Sequence, residues 1–176
     1  ACYEKLKEKL GDKAKELPAR YALVEIENLH DDALEFEPIY RVVFGVEPEN
    51  IKRELCAYAD SLSGSEAPQS MEIISADGEE NFTFMKPEAQ LTVGTLQSFL
   101  DKYVSEHEGA EIDYIHGEES LKKLAKKPNA VGFLFGGMKK DQLFKTVICD
   151  GALPRKTFSM GHANDKRFYL ECRKIK

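Results

Sequence analysis

The sequence predicts an α+β fold, a mixed β-sheet of about five to six strands with about five helices packed on it. Three observations predict it. Helical and strand-like periodicities interleave irregularly along the 176 residues, without strict βαβ alternation. Asp77-Gly78 separates two strand-like runs, the signature of a hairpin. Hydrophobic residues make up 42% of the chain, enough to build a core.

The elements follow in order. Residues 1–10 read as a helix, with Tyr3, Leu6 and Leu10 on one face and Gly11 as its C-cap. Residues 21–29 alternate as a strand, Ala22, Val24, Ile26 and Asn28 against Leu23, Glu25 and Glu27. Asn28 to Asp32 is turn material. Leu34 to Phe44 begins extended, because Pro38 disfavours helix at Glu37. Pro48 opens a helix with Ile51, Leu55, Tyr58 and Leu62 as its apolar stripe, ended by Ser63-Gly64-Ser65. Residues 71–76 and 81–86 form the hairpin. Thr92 is expected to cap a helix running to about Glu106, with Leu96, Phe99, Leu100 and Tyr103 inward. A short strand over 111–116 and a helix over 117–127 follow, the helix stopped by Pro128. Residues 130–135 form an apolar strand. Residues 139–149 form a helix expected to pack through Leu143, Phe144 and Val147. Residues 168–175 alternate as a last strand. The chain holds no repeat and no linker longer than a loop, so one domain over 1–176 is expected. A helix that starts without a capping residue or an initiator Met predicts that this is the C-terminal part of a longer protein.

No apolar run reaches the roughly 18–20 residues that span a bilayer. The longest, Ala130 to Met138, holds three glycines. Four cysteines show no CxxC and no metal spacing, which points to a reduced, cytoplasmic setting and to no metal site. The net charge of −6 is unevenly spread. Residues 21–120 carry 5 basic and 23 acidic groups, and residues 121–176 carry 14 basic and 4 acidic ones. Such polarity gives either two electrostatic faces or two parts that attract each other, with an anion site in the basic third as the sharper reading. An acidic chain lacks the footprint of a duplex-binding protein, so nucleic acid is not the expected partner.

The segment from Gly151 to Gly161 carries the most chemistry. It sets Arg155 beside Lys156, adds the hydroxyls of Thr157 and Ser159, and is bounded by glycines. Arg grips an oxyanion through parallel N–H bonds, Lys adds a point charge, and hydroxyls with open amides suit phosphate oxygens. The alternative is a merely solvated basic loop, since no standard phosphate-loop motif is present. Gly132 and Gly136-Gly137 either let a ligand approach the backbone or serve turns and packing. His30-Asp31-Asp32 offers a metal-ligand or base pattern, or simply a polar turn. His107, His116 and His162 lack zinc spacing. Cys56 and Cys172 lie on apolar faces, where buried inert thiols are the rule. No catalytic residue is assigned.

Two stretches carry a resemblance. YALVEIENLHDDALEFEPIYRVVF, residues 21–44, is one. LPRKTFSMG, residues 153–161, followed by KRFYLECRKI, residues 166–175, is the other. Together they resemble the C-terminal half of an uncharacterised bacterial and archaeal family, number ten-fifteen among domains of unknown function. That family is distantly similar to partition-protein and sulfiredoxin-like folds and to nucleotide-dependent free serine kinases. Its upstream Gly-Asp-Gly-Asn-His-Ser or Asp-Gly-His-His-Arg type motif is missing here. Pro154, Lys156 and Thr157 match a Pro-x-Lys-Ser/Thr pattern of the family. Arg41 matches the Arg of a His-Arg pair, with Tyr40 in place of the His. The resemblance implies a nucleotide or phosphorylated small molecule as ligand, Mg2+ from acidic residues, and the missing N-terminal half as partner. The expected function is the C-terminal half of a small-molecule phosphotransferase, inactive alone, with Arg41, Arg155, Lys156, Thr157 and Ser159 around the phosphate. The alternative is a non-catalytic ligand-binding or regulatory module.

Overall fold

In the computed structural model of the chain, residues 2–21, 24, 26–32 and 34–161 are described. The chain divides into two compact units, one of residues 32–165 and one that holds the N-terminal segment. In the N-terminal unit, helix α1 (Cys2–Leu10) forms as expected, and Gly11 adopts a positive φ of 56° at its end. Two short 3-10 turns, Gly11–Glu16 and Pro18–Arg20, continue the chain. The strand expected over 21–29 does not form in its described residues. Tyr21, Val24 and Ile26 are exposed, so the alternation of apolar residues there does not mark a buried face. The turn that follows does form. The Asp31 amide donates to the Asn28 carbonyl, and the His30 amide to the Asn28 side chain.

Residues 32–165 hold the sheet. Its strands are β1 (Phe36–Phe44), β2 (Gln69–Ser75), β3 (Gly78–Phe84), β4 (Glu111–His116), β5 (Ala130–Phe135) and β6 (Phe158–Met160). Helices α2 (Pro48–Ser61), α3 (Thr92–Glu106), α4 (Glu118–Ala125) and α5 (Gln142–Asp150) join them. The α+β class is as expected, and the hairpin β2–β3 turns at Asp77-Gly78 as its sequence signals. The sheet is not mixed. The strand order is β3-β2-β5-β1-β4, β6 adds to the start of β1, and every pairing is antiparallel. The reason lies in the crossovers. Helix α2 joins β1 to β2, two strands that run the same way, and β5 is inserted between them. Helix α4 likewise joins β4 to β5, which run the same way with β1 between them.

Alternation along β1 splits the core in two. Val43 faces a large cluster with Ile51 and Leu55 of α2, Leu96, Phe99 and Leu100 of α3, and Phe133 of β5. Val42 faces a smaller one with Leu121 and Ala125 of α4. The sheet is thus covered by α2 and α3 on one face and by α4 on the other. Gly132 serves the second contact. A Cβ there would stand 2.7 Å from the Ala125 Cβ, so the bare backbone is what lets α4 close on β5.

Two helix expectations are corrected. Thr92 is the first residue of α3 rather than its cap. Leu91 stands at the cap position with extended backbone, and no side chain there bonds the open amides. In α5, Phe144 is 66% exposed and Val147 43%, while Leu143 is partly buried and Thr146 fully so. The inward face is centred on a threonine, so apolar periodicity points to the wrong side. Cys56 is exposed, contrary to its expected burial. The strand expected at 168–175, with Cys172, lies outside the described residues, as does His162.

Candidate functional site

The basic segment is positioned by three anchors. Leu153 packs against the large core, and Phe158 stacks on Phe36 of β1 with ring centroids 4.2 Å apart. Between them stands Arg41 of β1, fully buried at 0% exposure. Its Nε donates to Gln97 Oε1 at 2.8 Å, one Nη to the Lys156 carbonyl at 3.0 Å, and the other to the Arg155 carbonyl at 2.9 Å. A further bond goes to the Ile39 carbonyl. Gln97 in turn donates to Asp101 at 2.8 Å. A guanidinium has five donors in a rigid fork, and here four bonds tie β1, α3 and the basic segment together. Burial pulls the Arg41 pKa down to about 10, with the nearby Arg155 charge adding to the effect. Arg41 therefore stands beneath the predicted site as its support, with its donors turned to backbone carbonyls.

The backbone so held turns tightly. Lys156 takes a φ of 52°, and Thr157 Oγ1 donates to the Pro154 carbonyl at 2.6 Å. The outcome is a cluster around Tyr114 of the edge strand β4. The Arg41 guanidinium carbon lies 4.7 Å from its ring centroid, that of Arg155 5.5 Å, and Lys156 Nζ 4.8 Å. Arg155 also pairs with Asp101 at 3.2 Å, both side chains being largely exposed. The Tyr114 hydroxyl is buried and has no hydrogen-bond partner among the described residues. Two hollows flank Arg155 and Asp101, of about 330 and 460 Å³.

Of the five predicted phosphate residues, the fold thus brings Arg41, Arg155 and Lys156 together. Thr157 and Ser159 go elsewhere. Thr157 is buried beside a separate cleft, and Ser159 is buried in β6 opposite Glu37. Tyr114, Gln97 and Asp101 complete the cluster and were not singled out in the sequence. An isolated Tyr in a short strand and two polar residues in an amphipathic helix carry no local signal.

The remaining candidates are resolved individually. His116 pairs with Glu37, and His107 with Glu54 at 3.1 Å while stacking on Tyr103. Among the described residues, no group of three or more His, Cys, Asp or Glu is placed to hold a metal ion. His30 lies in a polar turn. Tyr40 borders a hollow with Glu72, Asn81 and Glu118. Its phenol pKa is raised by burial and by the charges of Glu118 and Glu37. No helix of the described residues is long and apolar enough to cross a membrane. No family model, curated protein or solved structure matches the chain.

Proposed function

We propose that this chain is a ligand-holding module for a phosphate-bearing small molecule, such as a nucleotide, seated where Arg155 and Lys156 converge on Tyr114. The observation that carries the reading is the buried Tyr114 hydroxyl, unpartnered among the described residues, on a ring that three cations approach. A buried hydroxyl without a partner costs free energy, and gathered like charges repel. A phosphate oxygen relieves both, taking a bond from the phenol and charge from Arg155 and Lys156. Arg41 contributes by fixing the backbone from which those two side chains project.

The geometry favours holding over turnover. Asp101, the carboxylate that reaches the cluster, is engaged by Arg155 and Gln97, which suits it to orient cations rather than to take a proton. Phosphoryl transfer, which the family resemblance implies, has its own readout in ADP release from ATP in the presence of Mg2+.

A thermal-shift titration with ATP, ADP, CTP, AMP and phosphate, with and without Mg2+, tests the proposal. A ligand at about 100 times its dissociation constant adds about 2.7 kcal/mol, or roughly 5–10 °C for a domain of this size. The shift with ATP, ADP or CTP is expected to disappear in Arg155→Ala/Lys156→Ala, whose unliganded melting point stays near that of the wild type because both side chains are exposed. A shift with ATP, ADP or CTP that survives undiminished in the variant, or no shift with any of these three, refutes the reading.

A further inference from the structure

A cleft of about 500 Å³ lies on the other side of the Arg41-held segment, at the start of α3. Thr92 and Val93 of α3, Gly136 and Gly137 after β5, and Lys145 and Thr146 of α5 line it, together with Thr157. Three features converge there. Helix α3 is 15 residues long and lacks a side-chain cap. The amides of Gly94 and Thr95 turn back to the Leu91 carbonyl, which leaves those of Thr92 and Val93 without an acceptor in the helix. Lys145 brings a positive charge and has no ion pair among the described residues.

The second, independent feature is Thr146. Its side chain is 2% exposed and borders the cleft, and no hydrogen bond engages its hydroxyl among the described residues. A helical threonine ordinarily returns its hydroxyl to a carbonyl of the preceding turn; with no such bond, the Thr146 hydroxyl is left for whatever occupies the cleft. The third feature is space. A Cβ added at Gly136, which borders both this cleft and the hollow beside Tyr40, would meet nothing within 4 Å, so the backbone there is open. The neighbouring Gln90 amide already donates to the Asp150 carboxylate at 2.6 Å, so this end of α3 binds an oxyanion two residues before the first free amide.

We propose that this cleft is a second oxyanion seat, taking the phosphate of a small phosphomonoester, separate from the Tyr114 cluster. Amides from α3, a hydroxyl and an ammonium from α5 approach from different elements, which suits a tetrahedral group with three terminal oxygens. The remaining volume holds the body of the ligand, with hydroxyl and amide side chains around it.

Inorganic phosphate titrated into the whole chain, followed by amide NMR, tests this. Saturable shifts are expected at Thr92, Val93, Gly136 and Gly137. Thr146→Val is expected to keep the fold and weaken binding roughly tenfold, the usual loss for one bond to a charged group. Gly136→Leu, which enters open space, is expected to block the shifts with the fold intact. Arg155→Ala/Lys156→Ala is expected to leave them unchanged, so loss of the Tyr114 seat and loss of this one are told apart. No shift at these amides, unaltered affinity in Thr146→Val, or loss of the shifts in the Arg155/Lys156 variant overturns the proposal.

Discussion

Arg41 has four bonds, and removing it strands every partner. Arg41→Met keeps much of the volume but leaves the carbonyls of Ile39, Arg155 and Lys156 and the Gln97 side chain without their donor. Breaking one side of a buried charged network typically costs about 3–5 kcal/mol, and the change is expected to fall near the lower end, since all four acceptors are neutral amide oxygens. Urea unfolding of the variant measures it, and a loss under about 1 kcal/mol would mean that the network is not what holds the segment. Arg41→Lys should not restore stability, because an ammonium lacks the planar fork that reaches two successive carbonyls. At this scale the sequence was informative about residue type and silent about direction. Adjacent Arg155 and Lys156 are readable as an anion candidate. Which way each side chain of the segment turns depends on Arg41, more than a hundred positions earlier in the chain.

Among the elements, α4 and β5 show how a missing side chain sets a packing distance. Gly132→Ala places a methyl 2.7 Å from the Ala125 Cβ and 3.2 Å from a Leu121 methyl. Overpacking of this kind costs about 1–3 kcal/mol. Ala125→Gly in the same chain is expected to recover part of the loss, so a double-mutant cycle by denaturant melts should give a non-zero coupling. Additive effects would mean that α4 simply moves away. Most elements were legible, because stripes such as Ile51 and Leu55 in α2, or Leu96, Phe99 and Leu100 in α3, repeat at helical spacing and are buried as read. Helix α5 was legible as a helix but not in orientation. Its apolar Phe144 and Ile148 face outward and its Thr146 inward, an arrangement that follows from the cleft it borders and not from a hydrophobic stripe.

Across the whole of residues 32–165, the sheet depends on its fifth strand. β5 bonds to β1 on one side and β2 on the other, and it enters the chain after α4. A chain ending at residue 128 keeps β1 to β4 but lacks the strand that joins the β2–β3 hairpin to the rest. Such a truncation is expected to lose the cooperative thermal transition of the full chain, measured by circular dichroism. A retained sharp transition would show that the hairpin docks without β5. Helix α4 carries part of the charge polarity between the acidic middle and the basic end. Lys122 and Lys126 reach Glu79 of the hairpin, so some of the opposite charges meet inside the fold. Among the described residues, the basic groups at Tyr114 meet the acidic middle at the Arg155–Asp101 pair.

By itself the sequence determined the α+β class, the hairpin, the span of most elements and the concentration of basic and hydroxyl side chains in residues 151–161. These follow from periodicity, turn residues and side-chain type, all of which act over a few residues. The tertiary structure decided the rest. It inserted β5 between two strands that a helix joins, and so made the sheet antiparallel throughout. It also buried Arg41 under the basic segment, sending Arg155 and Lys156 to Tyr114 and Thr157 to the cleft beside Thr146. Strand order and the direction of a held loop are set by contacts between residues far apart in the chain. No local pattern encodes those contacts, because the free energy that selects them comes from burial and bonding that exist only once the layers have met.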